Sequence, residues 1–485
     1  MNIITILAAV TAITSTDNDF WRTGEAEVAD APKGEVVCEA NEDGPVFQAW
    51  GTTFNERDLD ALRMLSEKDR TEILDKAFGA KSELKFTKGR LTMNANDYSR
   101  AWYSCSEVDG DFENKFFNIE HDKTNSLVYV KWALEREPKM TFFVSPWSPP
   151  AWMKINKDYP VVSSKFNNQP KEKDALLYSG ESDAIDPNEM WLQGQRGRPF
   201  PRRLATQNYF IQEPKYLKCY ADQFVKFIDL YAAEGVKIDR VMYQNEAYSY
   251  TPYPGCPWTA EGTIRFNVEY LAPALKAAHP EVELWLGTFN TNRRSYMAQI
   301  FGAKGMDEAV KGYGFQWEGL DCAESLCAEF KKPFLCSEAE CGNGQMDWRQ
   351  GEHTFWLISK NLRYGAIEWY NWNYVLEDQG RSAWGWKQNA LVRVSSRARN
   401  FRYTPEYYAV RHYSEFITPG AKRIGRFVGK SHTDGVVYRN PDGSKVLVAG
   451  NFHDKEPREI SVKIDGKYLN LRLPPKSFNT VVVFN

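Results

Sequence analysis

The sequence predicts a (β/α)8 TIM barrel carrying a smaller antiparallel β-sandwich domain, and three features of the chain predict it. Between Phe47 and about Phe401 a short apolar run followed by an amphipathic helical stretch keeps recurring. Strands that alternate with helices lie parallel, and about eight such units close into a barrel. After Lys422 the pattern changes to short alternating strands joined by Asn-Pro-Asp-Gly and Asp-Gly, which are hairpin turns. Third, the Gly-rich phosphate turn that usually announces an open, doubly wound sheet, the rival architecture, is missing after the early strands.

In chain order the first barrel strand lies within Phe47–Phe54, followed by the helix LSEKDRTEILDKAFG, with Ser66 placed to cap it. LKFTKGRLTM and the helix EHDKTNSLVYVKWALERE form the second unit, and MTFFVSPWSPP the third strand. The helix PKYLKCYADQFVKFIDLYAAEG leads into the fourth strand, IDRVMYQNEA. AEGTIRFNVEYLAPALKAAHP precedes VELWLGTFN, and YMAQIFG precedes GYGFQW. CAESLCAEF leads to the seventh strand, PFLCSEAE, and HTFWLISKNLRYG to the eighth, IEWYNWNYVL. Between Pro150 and Pro214 runs a long polar connection without helical periodicity. It follows the third strand on the face where barrels build active sites, and loops of such length are functional or disordered.

The barrel is expected over residues 47–405 and the sandwich over residues 406–485, with a strand from residues 36–46 joining the sandwich. Residues 1–18 open with the apolar run MNIITILAAVTAITS, too short to span a bilayer and similar to an export leader, although it lacks an early Lys or Arg. A secreted or periplasmic protein is therefore expected, without stable membrane insertion. With 61 basic and 64 acidic residues the net charge is −3, which gives no electrostatic reason to expect nucleic acid. The eight cysteines show no zinc-ligand spacing, and neither disulfides nor a metal is assigned. The chain carries 16 Trp and 25 Tyr, and aromatic planes suit the C–H faces of sugar rings, although most of these side chains are expected to fill the core.

In a barrel, catalytic groups project from the C-terminal ends of strands. Strand four ends in Tyr243-Gln244-Asn245-Glu246, and strand seven in Cys336-Ser337-Glu338-Ala339-Glu340. Trp147 ends strand three, and Trp372 lies at the end of strand eight. Two carboxyls across a mouth rimmed by Trp, Tyr and Asn suit glycoside hydrolysis. One protonates the departing oxygen, and the other attacks or stabilises the oxocarbenium-like centre. Asn245, beside the acid, can hydrogen-bond a sugar hydroxyl. Glu340, two residues beyond Glu338, points the same way if the strand continues, so it competes for the second role.

GRLTMNANDYS, DGDFENKFFNIEHD, SPWSPPAWMK, YQNEAYSY, FLCSEAECGNG, WYNWN and TPEYYAVRHYSEFITPGAKRIG together resemble glycoside hydrolase family 30, which includes glucosylceramidases and β-1,6-glucanases. The resemblance runs from Phe47 to the C-terminus. It implies a retaining mechanism without cofactor, with Glu246 as acid/base and Glu338 as nucleophile. It also implies that Asp97, Trp147 and Trp372 hold the sugar, with Arg90 beneath ordering the carboxylates. Trp317 and Trp386 join the expected substrate contacts. Glucosylceramidases carry a Tyr on strand six where this chain reads Gln316-Trp317-Glu318, so a phenol beside the nucleophile is missing. The run Trp384-Gly385-Trp386-Lys387-Gln388-Asn389 looks more like the β-1,6-glucanase branch. An endo-β-1,6-glucanase is therefore expected. An exo-acting β-glucosidase or glucosylceramidase is the alternative, and a carbohydrate-binding protein on a retired barrel is the alternative of another class.

Overall fold

The computed structural model describes residues 10–178, 207–378, 380–429 and 432–484. Eight parallel strands close into a barrel: β1 Ala49–Thr53, β2 Phe86–Met93, β3 Thr141–Pro146, β4 Lys237–Met242, β5 Glu283–Phe289, β6 Tyr313–Phe315, β7 Phe334–Cys336 and β8 Glu368–Asn371. The ring shuts where Trp369 of β8 pairs with Trp50 of β1. Helices wrap the outside, and their starts follow the sequence. Ser66 accepts a hydrogen bond from the Asp69 amide at the head of Glu67–Ala77, Thr259 caps Ala260–Arg265, and Asp347 caps Trp348–Tyr364.

The barrel interior is layered. Glu368 opens β8 and is clasped by both terminal nitrogens of Arg240, at 2.7 and 3.2 Å, while the Tyr370 hydroxyl donates to it at 2.7 Å. Phe143, Met242, Trp285, Leu335 and Ile367 pack with Tyr370 as an apolar plug. That plug fills the barrel interior with side chains no more than 6% exposed.

The sandwich differs from expectation at the N-terminus. Val10–Thr16 forms a strand and pairs along its full length with Ser477–Val483, in a six-stranded sheet that also includes Asp19–Thr23. Residues 10–18, expected within a leader, are thus built into the sandwich; their apolar alternation supplies Val10 and Ala12 to its core. Residues 1–9 lie outside the described residues. The strand expected over residues 36–46 is Glu35–Glu39, parallel to Arg458–Ile464, and Glu25–Ala29 adds another strand to the same four-stranded sheet. Both expected hairpins form. Asp465-Gly466 turns with φ of +48° and +82°, the left-handed pair that a two-residue hairpin demands.

The long connection after β3 is not free-standing. Ile155 donates to the Tyr209 carbonyl at 2.8 Å, and the amides of Val161 and Val162 both donate to the Thr251 carbonyl. Its described part therefore lies against the loop that follows β4. The central part of the connection, residues 179–206, lies outside the described residues.

Barrel and sandwich are joined by buried polar contacts. His412, on the helix Pro405–Ser414, sits between the hydroxyls of Ser15 at 2.9 Å and Thr480 at 2.8 Å, and Arg363 meets Asp434 at 3.3 Å. Burial pushes the His412 imidazole down to about 3 from its ordinary 6.5, with the Arg411 charge adding to the effect. The unfolded chain therefore binds a proton that the folded chain refuses, and stability is lost as pH falls from 6.5 toward 3. The loss is at most about 1.4 kcal/mol per pH unit. Melting curves recorded across that window should show a steeper fall for the native chain than for His412→Gln, and equal slopes would contradict the buried neutral imidazole.

Candidate active site

At the open end of the barrel the strand termini deliver their side chains to one guanidinium. Arg90, in β2, is 0% exposed. Its Nη1 donates to Glu338 Oε2 at 2.5 Å and to the Ser337 carbonyl at 3.2 Å. Its Nη2 donates to Asn245 Oδ1 at 2.8 Å and to Ser145 Oγ at 3.1 Å, and Nε reaches the same hydroxyl. The Trp147 ring lies 4.4 Å from the guanidinium carbon and that of Trp372 lies 5.5 Å away. Burial lowers the Arg90 pKa, opposed first by Glu338, but a guanidinium remains charged.

Glu338 and Glu340 take different positions. Strand β7 stops at Cys336. Glu338 turns inward to Arg90 and is 5% exposed. Glu340 turns to the rim, where its Oε2 meets His353 Nε2 at 2.5 Å. Alternation along a continuing strand does not apply, because the chain leaves the sheet between the two residues.

Glu246 stands after β4 with φ of +47°, a left-handed backbone for a side-chain-bearing residue. Its amide donates to the Thr288 carbonyl at 3.1 Å, and Asn290 Nδ2 donates to its Oε1 at 3.3 Å. Burial pushes Glu246 up to about 7, reinforced by the Glu338 charge. Burial also pushes Glu338 to about 7, but there Arg90 works against it. The neighbours of the two carboxyls differ. Glu338 has a cation and an amide donating to it, whereas Glu246 has no cationic partner among the described residues.

The remaining expected residues also converge. Asp97 is buried, with one oxygen 3.5 Å from Gln388 Nε2 and the other, Oδ1, without a partner among the described residues. Trp147 and Trp372 stack at 5.0 Å and are 2% exposed each, so they form the floor around Arg90 rather than open platforms. Trp317 and Trp386 are partly exposed against the same aromatic cluster. Asn245 uses Oδ1 to accept from Arg90, Thr288 and Gln316, which leaves its Nδ2 without a protein partner among the described residues. The site is thus a polar well with donors and acceptors held ready, two carboxyls and an aromatic wall.

The family model for the glycosyl hydrolase family 30 TIM-barrel domain matches residues 47–173 and 209–417, and that for the family's beta sandwich domain matches residues 420–481. The chain belongs to glycosyl hydrolase family 30. This family 30 protein is 22% identical over 472 residues to putative glucosylceramidase 3 of Caenorhabditis elegans, an alignment covering 92% of this chain and 81% of that protein. It is 21% identical over 416 residues to an endo-1,6-beta-D-glucanase of Trichoderma harzianum, covering 83% of this chain and 76% of that one. The solved structure of the endo-beta1,6-glucanase BT3312 superposes with a TM-score of 0.76 at 19% identity, covering 98% of this chain and all of that one. The protein is an O-glycosyl hydrolase, and its substrate is a glycan. Among the described residues no group of three or more His, Cys, Asp or Glu is placed to hold a metal ion, and no helix is long and apolar enough to cross a membrane.

Two glutamines of this family 30 enzyme escaped the sequence reading. Gln316 opens the run Gln316-Trp317-Glu318 that lacks the phenol, and its Nε2 donates to Glu338 Oε2 at 3.2 Å and to Asn245 Oδ1 at 2.9 Å. Turning the amide over would set its oxygen against both of those acceptor oxygens. The orientation is therefore fixed even though Gln316 Oε1 is buried without a partner among the described residues. Gln388 accepts from Trp372 Nε1 and Asn373 Nδ2, each at 2.7 Å, and faces Asp97 with its other end. Beside it, Asn389 takes the Gly344 amide at 2.7 Å and donates its own amide to the Cys341 carbonyl, bolting the loop after β7 to the loop after β8. Replacing Gln316 with Leu removes one donor from Glu338. We expect kcat to fall about 10- to 100-fold and the acidic limb of the pH profile to move upward. Glu340→Gln should change kcat by less than about threefold. An unmoved limb in Gln316→Leu, or a collapse in Glu340→Gln, would contradict the arrangement.

Proposed function

We propose that this chain is a retaining β-glucanase that cleaves β-1,6-linked glucan internally, with Glu338 as nucleophile and Glu246 as acid/base. The observation that carries the mechanism is the unequal treatment of the two carboxyls. Arg90 and Gln316 both donate to Glu338, while Glu246 accepts from Asn290 and feels the Glu338 charge.

In the first step the Glu338 carboxylate attacks the anomeric carbon as Glu246 delivers its proton to the departing glycosidic oxygen. A covalent glycosyl ester forms on Glu338 and the leaving chain departs as an alcohol. Once Glu338 is esterified its negative charge is gone, and with it one of the forces that kept the proton on Glu246. Glu246 then takes a proton from water as the water attacks the same carbon, and Glu338 is released as carboxylate. Two inversions leave the product in the β configuration. The free Oδ1 of Asp97 and the free Nδ2 of Asn245 supply an acceptor and a donor for the hydroxyls of the sugar being cleaved.

The glucan reading draws on the Trichoderma relative, named an endo-1,6-beta-D-glucanase, and on the loop Trp384–Asn389, whose Gln388 fixes Trp372. A second reading, a β-glucosidase acting on glucosylated lipid, is favoured by the glucosylceramidase names of the Caenorhabditis relatives. Digestion of linear β-1,6-glucan, followed by product size and by NMR of the first-formed anomer, separates them. A ladder of oligosaccharides released as β-anomers is expected. Glucose alone, from aryl β-glucosides but not from the glucan, would replace the glucanase reading with the second. The rate should fall on both sides of a maximum near pH 7, because alkali removes the Glu246 proton and acid adds one to Glu338.

A further inference from the structure

Phe166 is 41% exposed, one of few large apolar side chains so placed among the described residues. Its loop is braced from several sides. Ser163 bonds Asp174 through its amide at 2.7 Å and its hydroxyl at 2.6 Å. Asn167 Nδ2 donates to the carbonyls of Val162 and Pro252, each at 2.9 Å, and Gln169 ties the loop to Val161. The ring is therefore held out from a fixed support, in the described part of the long connection after β3. Part of the ring stays open to solvent and is available to a ligand.

That position continues the active site. The ring lies against Gly385, in the loop after β8. Gly385 has φ of +86°, and a Cβ there would run into Phe166. On one side of Gly385, Trp384 is buried and packs on Tyr253 at 4.9 Å, in the same apolar cluster as Trp147 and Trp372. On the other side Trp386 is partly exposed, perpendicular to Trp384 at 4.7 Å. A packed aromatic cluster that includes Trp147, Trp372 and the buried Trp384 thus carries the partly exposed Trp386, and Phe166 abuts the same loop at Gly385. Lys165 Nζ stands 4.8 Å from the Phe166 ring centroid, an ammonium donor within reach of hydroxyls.

We infer that Phe166 and Trp386 form an outer subsite, where a glucosyl unit of the glucan chain stacks its C–H face beyond the sugars at the cleavage point. This deepens the glucanase reading above and rests on it. An uncharged chain of sugars fits the surface better than a charged partner would, because the rim offers ring faces and hydrogen-bond donors together. A flat aromatic face matches the axial C–H groups of a β-glucosyl ring, whereas a branched aliphatic side chain of similar bulk presents no such plane.

The test compares kcat/KM across β-1,6-linked gluco-oligosaccharides of increasing length, and across alkyl β-glucosides of increasing chain length, for the native enzyme, Phe166→Ala and Phe166→Leu. Leu keeps apolar bulk against Gly385 but removes the aromatic face. The native enzyme should gain with each sugar added until the outer subsite is filled. Both variants should lose about tenfold of that gain, through KM rather than kcat. If Phe166→Leu keeps the full gain, the ring is a buttress for the Gly385 loop and the proposal is overturned. If the variants instead lose a gain that the native enzyme shows with alkyl length, the rim holds a lipid chain and the proposal is likewise overturned. Failure of the native enzyme on every β-1,6 oligosaccharide would overturn the glucanase reading itself, and this inference with it.

Discussion

A guanidinium held entirely out of water is the constraint around which this barrel mouth is organised. Arg90 gives up its hydration and recovers it from three strand ends at once: Ser145 at the third, Asn245 at the fourth, and Ser337 with Glu338 at the seventh. A buried cation costs several kcal/mol unless its partners are well placed, and breaking such a pair leaves an uncompensated charge. The strands are therefore not free to shift against one another at this level. Arg90 opposes the rise that burial imposes on the Glu338 pKa, and Asn245 gains a single orientation. The apolar plug of Phe143, Met242 and Tyr370 packs nearby, with the Phe143 ring centroid 5.5 Å from the guanidinium carbon.

The rest of the site follows from that pair. Burial first, and the neighbouring Glu338 second, push the Glu246 pKa up, while the Arg90 cation in β2 opposes the same rise at Glu338. The arrangement carries costs to the fold. Glu246 holds a left-handed backbone, Asp97 and Gln316 each bury an oxygen without a partner among the described residues, and burial raises Asp97 to about 7. Such features are stored where function needs them and supported from elsewhere. Support here comes from Gln388 and Asn389, which join the loops after β7 and β8. It also comes from the sandwich, locked to the barrel through His412 and Arg363.

Much of this was legible in the chain because barrels place chemistry at predictable positions. Alternating strand and helix patterns located the ends of strands four and seven, and glutamates there are few. Glu340 stayed a competitor, since strand alternation puts it beside Glu338; only the departure of the chain from β7 after Cys336 separates them. Gln316 and Gln388 were illegible as participants because neutral amides occur throughout any sequence and act through orientation, which needs neighbours. The strand Val10–Thr16 resembles part of a leader for a similar reason. A short apolar run looks the same in either role, and its pairing partner, Ser477–Val483, lies at the other end of the chain.

The measurement that bears most directly on this account is covalent capture of the nucleophile. A 2-deoxy-2-fluoro β-glucosyl fluoride should react once, losing fluoride to the attacking carboxylate and leaving a sugar ester that hydrolyses slowly. Peptide mass spectrometry should then place the sugar on Glu338, the carboxylate that Arg90 holds. A sugar found on Glu340, or an enzyme that turns over β-glucosides yet never forms the ester, would contradict the central role given to the Arg90–Glu338 pair.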